Sequence, residues 1–239
     1  MAGLQPLKFL TVPARAKHTA TVIFVHGLGD SGNGWQPVAS LLGNVPSLQH
    51  IKWILPHAPR IPVTANGGSI MPAWYDIVAF GSTVEDEQGI LRSAHSLNEL
   101  ISAEVEAGIP AERVIIGGFS QGGAMSLTTG LTSERKLGGI VIMSSYLPLR
   151  PKIKEMVGTH AQHLPIFWGH GTSDPIVKFE RAKQSIEFLK SEIGVLDASA
   201  ESRIGLEFHQ YPGLVHSSND EEIGALKVWL EKVLPQKDE

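Results

Sequence analysis

Ser120 lies in a sequence pattern that is typical of a nucleophilic serine. The segment Gly118-Phe119-Ser120-Gln121-Gly122 follows an apolar run at 113–117 and precedes a helix-like stretch at 124–131. A serine on a sharp strand-to-helix turn projects its hydroxyl above the sheet, and the flanking glycines avoid clashes with neighbouring backbone. The structural alternative is a glycine-rich turn that merely contains serine. A phosphate-binding loop is excluded, because no Gly-Lys-Ser/Thr follows the glycines.

A serine hydroxyl is a weak nucleophile and needs a base, and chains with this motif usually run serine, acid, histidine. His216 fits, because it lies in a loop between the last strand candidate and the last helix candidate. An unperturbed imidazole, with a pKa of about 6.5, can accept and return a proton near neutral pH. A surface histidine is the alternative. His209, the nearest rival, alternates with Leu206 and Phe208 in a strand and is expected to point to its polar face.

Asp174 is the acid that fits between these two residues in chain order. It follows the strand candidate at 165–169, within Gly169-His170-Gly171-Thr172-Ser173-Asp174-Pro175. Its carboxylate would hold the imidazole of His216 in one tautomer. Aspartate also favours turns before proline, which is the structural alternative. His170 precedes Asp174, out of the catalytic order, and is expected to shape the loop.

Acyl transfer also needs amide donors for the oxyanion, normally from the residue after the nucleophile and from an early loop. Gln121 supplies the first amide. The loop His26-Gly27-Leu28-Gly29-Asp30 supplies the second, and we assign it to Leu28. His26 and Asp30 could also be a catalytic pair or metal ligands, but hydrogen bonds that brace the loop explain them better. No cluster with metal-ligand spacing is present, so no metal is expected.

The elements around these residues alternate between short apolar runs and amphipathic stretches. That rhythm predicts a mostly parallel sheet with helices on both faces, the α/β-hydrolase fold, in one domain over residues 1–239. Helical spacing from Ile90 to Val105 predicts one covering helix, capped by Asp86, and spacing from Ile223 to Leu234 predicts another. The strand candidates are 21–25, 51–55, 113–117, 140–144, 165–169 and 204–211, with 8–12 as an edge strand.

Composition excludes several other classes. The chain of 239 residues has a formal net charge of -4 and no block of like charges, so nucleic acid is not an expected partner. It contains no cysteine, which excludes disulfides and a cysteine nucleophile and fits a reducing compartment. Its longest uncharged stretch is too short to cross a bilayer, and no secretion signal or myristoylation site is seen. We therefore expect a soluble protein.

The stretch from 59 to 80 is the only long one without clear periodicity, and long loops in compact folds are often functional. Its apolar residues could line a groove for an acyl chain beside the serine, or they could pack onto the core. The groove candidates are Ile61, Met71, Trp74 and Tyr75, with Val63 and Ile70 as further apolar neighbours.

Over nearly its whole length the sequence resembles the acyl-protein thioesterase family, also described as lysophospholipase-like carboxylesterases. The serine motif is general to α/β hydrolases, whereas the other matching motifs together are specific to this family. The matches are His26-Gly27-Leu28-Gly29-Asp30 with Gly34-Trp35, Pro72-Ala73-Trp74-Tyr75-Asp76, Glu85-Asp86-Glu87, Gly117-Gly118-Phe119-Ser120-Gln121-Gly122-Gly123, Gly169-His170-Gly171 with Asp174-Pro175, and His216.

The resemblance implies hydrolysis, without a cofactor, of thioesters that link palmitate-like chains to protein cysteines, and of related esters such as lysophospholipids. It implies Leu28 and Gln121 as oxyanion donors, and S-acylated proteins and small acyl esters as partners. It also implies a cytoplasmic location, with the nucleus as a second compartment. The acylated N-terminal cysteine of the family has no counterpart here, so membrane contact should be transient at most. A weak homodimer stays open.

Two other functions remain open at this point. One is a broad carboxylesterase that acts mainly on small soluble esters. The other is a non-catalytic binding protein on a hydrolase fold, because a fold does not fix a function. The presence of a serine, an acid and a histidine in the expected order argues against the binding protein.

Overall fold

A seven-stranded sheet forms the centre of the computed structural model, which describes residues 6–199 and 202–237. The strands of this sheet are β1 (Phe9–Val12), β2 (Ala20–Val25), β3 (Ile51–Pro56), β6 (Val114–Phe119), β7 (Gly139–Met143), β8 (Pro165–Gly171) and β9 (Gly205–Tyr211). Their spatial order is β1-β3-β2-β6-β7-β8-β9. Six strands are parallel, and β1 pairs antiparallel with β3 at one edge. The ends of the predicted domain, residues 1–5 and 238–239, lie outside the described range.

Helices cover both faces of the sheet because neighbouring strand residues point to opposite sides. The helices are α1 (Gly32–Gly43), α2 (Glu87–Glu106), α3 (Gln121–Thr132), α4 (Arg150–Met156), α5 (Phe179–Phe188) and α6 (Asp220–Val233). In β2, Ile23 packs into the cluster under α2, α3 and α5, whereas Phe24 packs under α1 and α6. The predicted α/β-hydrolase architecture is confirmed.

Local capping explains where the two predicted covering helices begin. The Asp86 side chain accepts a hydrogen bond of 2.9 Å from the amide of Gly89 at the start of α2. The Asn219 side chain accepts one of 2.8 Å from the amide of Glu222 at the start of α6. Each bond satisfies an amide that has no partner inside its own helix.

The stretch from 59 to 80 differs from the prediction, because part of it is regular. Strands β4 (Arg60–Val63) and β5 (Ser69–Pro72) form an antiparallel hairpin apart from the main sheet. Gly67 and Gly68 have φ values of 63° and 76° in the connecting turn, a conformation that glycine adopts without strain. The strands are short, and each contains a proline, which weakens the sequence signal for a strand.

Candidate active site

The site lies where the strand order of the sheet reverses. The chain passes from β2 to β3 on one side and then returns to place β6 on the other side of β2. In parallel sheets of this kind, a crevice opens at the carboxyl ends of the strands at such a switch point. The loop after β2 and the turn after β6 both end at this crevice, which brings Leu28 and Ser120 to the same cavity.

Ser120 occupies a strained turn between β6 and α3. Its φ of 54° and ψ of −121° lie in a region that side chains rarely adopt, so the surrounding backbone must hold it there. The close approach of the chain explains the glycines on either side. A Cβ on Gly118 would lie 2.5 Å from the Val25 carbonyl oxygen, and one on Gly122 only 2.0 Å from the same atom. The turn therefore requires both glycines.

Three side chains that are distant in sequence form one hydrogen-bonded relay. The Nδ1 atom of His216 lies 2.7 Å from Oδ2 of Asp174, and its Nε2 atom lies 2.8 Å from Oγ of Ser120. A carboxylate can only accept, so Nδ1 donates to Asp174 and Nε2 accepts from the serine hydroxyl. The Phe119 ring packs against the imidazole, with centroids 4.8 Å apart, and limits its movement.

The loop after β8 holds the carboxylate of Asp174 in place. Its Oδ1 atom accepts hydrogen bonds from the amides of Ile176 at 2.8 Å and Val177 at 2.9 Å. Burial opposes ionisation, but the bonds from His216 and these two amides outweigh it and hold the pKa of Asp174 below its usual value. His170 is fully buried, and its Nε2 atom bonds the Val177 carbonyl at 2.8 Å. It shapes the loop, as the sequence predicts.

The loop after β2 is braced by His26. Its Nδ1 atom donates to the Gly27 carbonyl at 2.7 Å, and its Nε2 atom accepts from the Ala58 amide at 3.0 Å. This pattern requires a neutral ring, and burial correspondingly lowers the pKa of His26. The Trp74 indole donates to the His26 carbonyl at 2.9 Å. His26 therefore holds the loop that carries Leu28.

Two backbone amides beside the serine are free to donate. Among the described residues, neither Leu28 nor Gln121 has a hydrogen-bond partner for its backbone amide. Gln121 is the first residue of α3, where an amide has no partner within the helix, and both residues line the same cavity as Ser120. The pair can therefore hold a developing oxyanion.

The side chain of Gln121 has a separate structural role that the sequence did not reveal. Its Oε1 atom accepts from the Trp74 amide at 2.9 Å, and its Nε2 atom donates to the Tyr75 carbonyl at 2.8 Å. The side chain is buried. It ties the segment after β5 to the start of the helix that carries the nucleophile.

An inner cavity of about 280 Å³ opens beside the relay. Ser120 and His216 are among the residues that line it. Most of the remaining wall is apolar or aromatic and comes from the segment after β5 and from the loop before α5. The charged residues in the wall are Asp30, Asp76 and the ion pair of Glu85 and Arg181. The lining residues include Tyr75, Ile77, Phe80, Val84, Glu85, Tyr146, Ile176, Val177 and Arg181.

Of the four residues predicted to line an acyl groove, only Tyr75 lines this cavity. Ile61 and Met71 face each other as paired residues of the β4–β5 hairpin, and Trp74 is buried in the core. The prediction missed Tyr146, Ile176 and Arg181, which are distant in sequence. Glu85 belongs to the Glu85-Asp86-Glu87 motif, which was the available signal for that wall.

Two properties of the described part of the chain bear on the kinds of site it offers. Within residues 6–199 and 202–237, no group of three or more His, Asp or Glu side chains is arranged so that it could hold a metal ion. In the same ranges, no helix combines the length and the apolar character needed to span a membrane.

A sheet of this order with a serine elbow at its switch point defines the α/β-hydrolase class. The chain belongs to the phospholipase/carboxylesterase family, whose model matches residues 8–234. It is 48% identical over 235 residues to acyl-protein thioesterase 1 of Cryptococcus neoformans, covering 95% of this chain and 98% of that protein. It is 45% identical over 244 residues to acyl-protein thioesterase 1 of Neurospora crassa, covering 99% and 96%. The crystal structure of Zea mays acyl-protein thioesterase 2 matches with a TM-score of 0.81 and 28% identity, covering 95% of this chain and 99% of that one.

Proposed function

We propose that this chain is a serine hydrolase that cleaves long-chain acyl thioesters from S-acylated protein cysteines. Oxygen esters, including lysophospholipids, are further substrates. The observation that carries the proposal is the relay from Asp174 through His216 to Ser120, which ends in a largely apolar cavity. Relatives of 45–48% identity over almost the whole chain are named acyl-protein thioesterase 1.

The reaction proceeds in two steps. Ser120 Oγ attacks the thioester carbonyl while His216 Nε2 takes its proton, and the amides of Leu28 and Gln121 bind the oxyanion. The C–S bond breaks, and the cysteine leaves with the proton from His216. Water then attacks the acyl-serine with His216 again as base, which releases the fatty acid and restores the hydroxyl. Asp174 stabilises the imidazolium in both steps without taking the proton. Protein groups and water suffice, so no cofactor is needed.

Substitution of the nucleophile tests this mechanism. Ser120→Ala should lower kcat by several orders of magnitude on a hexadecanoyl-thioester peptide, because the acyl-enzyme cannot form. Ser96→Ala, which removes an exposed hydroxyl on α2, is the matched control and should keep full turnover. A fluorophosphonate probe should label the unchanged chain and the control but not the Ser120→Ala variant. Near-full thioesterase activity in Ser120→Ala, or absence of labelling of the folded unchanged chain, would reject the assignment.

A broad carboxylesterase acting on small soluble esters is the second candidate. The observation that favours it is the modest volume of the inner cavity, about 280 Å³. The comparison of kcat/KM for a hexadecanoyl-thioester peptide and for a short-chain aryl ester separates the two candidates. No detectable thioester turnover beside efficient aryl-ester turnover would establish the second function.

The cellular compartment and the substrates of the chain are part of the proposed function. We place its substrates, S-acylated proteins, at membrane surfaces that it contacts transiently, and the chain itself in the cytoplasm and also in the nucleus. Microscopy of the tagged chain tests the compartment, and sedimentation in solution tests for a weak homodimer. Exclusive residence in a secretory compartment would contradict the proposal.

A further inference from the structure

A second depression adjoins the inner cavity on the side away from the relay. This outer groove, of about 600 Å³, has an apolar part formed by Leu147, Pro151 and Pro175. The charged residues Arg150, Lys178 and Glu180 also line it. Neither Ser120 nor His216 lines it. The boundary between the two spaces is formed by the residues that line both of them, which are Phe80, Gly81, Ser82, Glu85, Ile176 and Arg181.

An ion pair lies within this boundary. Nη2 of Arg181, on α5, donates to Oε1 of Glu85 at 3.4 Å. Their side chains are only 26% and 19% exposed, so little water screens the pair. The other residues of the boundary carry no charge. The two spaces are thus separated by charged groups in an otherwise uncharged wall.

Both members of the ion pair are held by further contacts. The Arg181 guanidinium lies over the Tyr146 ring, 3.4 Å from its centroid, in a cation–π arrangement. Oε2 of Glu85 accepts a hydrogen bond of 2.7 Å from the Leu149 amide. The Tyr146 hydroxyl lies 3.0 Å from that of Tyr75, and both rings are buried. The wall therefore has a fixed position along the cavity.

The inner cavity can hold only part of a long acyl chain. Its volume of about 280 Å³ is nearly twice that of a cavity of roughly 150 Å³ that binds one benzene molecule. It therefore has room for about ten carbon atoms. The remaining carbons of a hexadecanoyl chain must meet the wall or pass beyond it.

We propose that the Glu85–Arg181 ion pair sets the acyl-chain length up to which the enzyme gains binding energy. This rests on the proposed function of the same site. Methylenes inside the inner cavity lose contact with water and favour the bound state. Methylenes that reach the ion pair would have to displace the water that still contacts its charged groups. Removal of water from charged groups costs free energy. These methylenes therefore add nothing to kcat/KM.

A series of thioesters on one cysteine peptide tests the proposal. In the unchanged chain, kcat/KM should rise from hexanoyl to decanoyl by up to about fourfold per methylene, the factor that matches about 0.8 kcal/mol per buried methylene. It should then stay level from decanoyl to hexadecanoyl. In the double variant Arg181→Met with Glu85→Gln, the ratio of hexadecanoyl to decanoyl kcat/KM should increase about fifteenfold, as expected if roughly two more methylenes become buried.

The double variant removes both charges together, because a single change would leave one unpaired. Methionine keeps an apolar stem over Tyr146, and glutamine can still accept from Leu149. Lys154→Met with Glu192→Gln removes another ion pair, of 2.6 Å, outside both spaces, and should leave the ratio unchanged. The conservative change Arg181→Lys keeps the charge and should retain the level profile.

The measured quantity is a ratio within each variant, so a uniform loss of activity does not affect it. If this double variant does not fold, Arg181→Gln with Glu85→Gln, which also removes both charges, is measured in the same way. A hexadecanoyl-to-decanoyl ratio that stays within twofold of the unchanged chain would overturn the proposal while thioester turnover persists. Absence of thioester turnover at every length would instead reject the proposed function.

Discussion

Glu222 is a buried carboxyl group near the start of α6 that has no hydrogen-bond partner for either oxygen among the described residues. It lies directly over β8, since a Cβ on Gly169 would be 2.1 Å from its Oε1 atom. The hydroxyl of Tyr211 is also buried without a partner, and burial together with the charge of Glu222 raises the pKa of Tyr211. We therefore predict that replacement of Glu222 by glutamine stabilises the protein in alkaline solution.

The magnitude follows from the difference in proton affinity between the two states. Burial raises the pKa of Glu222 to about 8 from an ordinary value of 4.5. Between these values the folded chain keeps a proton that the unfolded chain releases, so the free energy of unfolding falls as pH rises. At about 1.4 kcal/mol per pH unit, the loss is about 3 kcal/mol at pH 7 and approaches about 5 kcal/mol above pH 8. Glu222→Gln cannot ionise and avoids this loss.

Urea denaturation followed by tryptophan fluorescence, from pH 5 to pH 9, measures the effect. The difference in the free energy of unfolding between Glu222→Gln and the unchanged chain should grow steadily up to about pH 8 and then level off. Ionisations that both chains share cancel in this difference. Glu221→Gln, at an exposed neighbour in the same turn, is the control and should not reproduce the stabilisation seen for Glu222→Gln. A constant difference for Glu222→Gln would refute the reasoning.

Three further substitutions test the site and its supports. Asp174→Asn should lower kcat by roughly 10⁴-fold, because the amide no longer holds the tautomer of His216, and a loss below tenfold in steady-state kinetics would contradict this. Gly122→Ala should lower the free energy of unfolding by about 3 kcal/mol or more, because its Cβ would lie 2.0 Å from the Val25 carbonyl oxygen; a urea-denaturation difference under about 1 kcal/mol would disagree. Asp86→Ala removes the cap of α2 and should cost about 1 kcal/mol in the same assay, whereas an unchanged midpoint would count against the cap.

The sheet could be predicted from sequence because its central strands are buried on both faces and therefore read as nearly continuous apolar runs. The strand predicted at 113–117 corresponds to Val114–Phe119, and the one at 165–169 to Pro165–Gly171. The predicted bounds are one or two residues off because the runs continue into glycines and polar residues at the carboxyl ends. The order serine, acid, histidine was sufficient to predict that Ser120, Asp174 and His216 lie close together. Each of the three follows a strand of the same sheet, and the carboxyl ends of these parallel strands meet at one edge.

The walls of the inner cavity could not be predicted in the same way. Tyr146, Ile176 and Arg181 lie in loops and a helix with no shared motif, and only the tertiary fold brings them together. The apolar character of Ile61 and Met71 predicts that they line the groove, but hairpin pairing keeps them off the cavity wall. Apolar character alone does not distinguish a ligand contact from packing.

The residues of the relay follow strands that differ in how many neighbouring strands they pair with. The nucleophile follows β6, which has strands on both sides, whereas His216 follows β9, the last strand in the order. An outermost strand has one neighbour to hold it and is expected to open at a lower energy than the middle of the sheet. Mild heating should therefore disconnect the proton acceptor while most of the molecule is still intact, so that enzymatic inactivation precedes global melting.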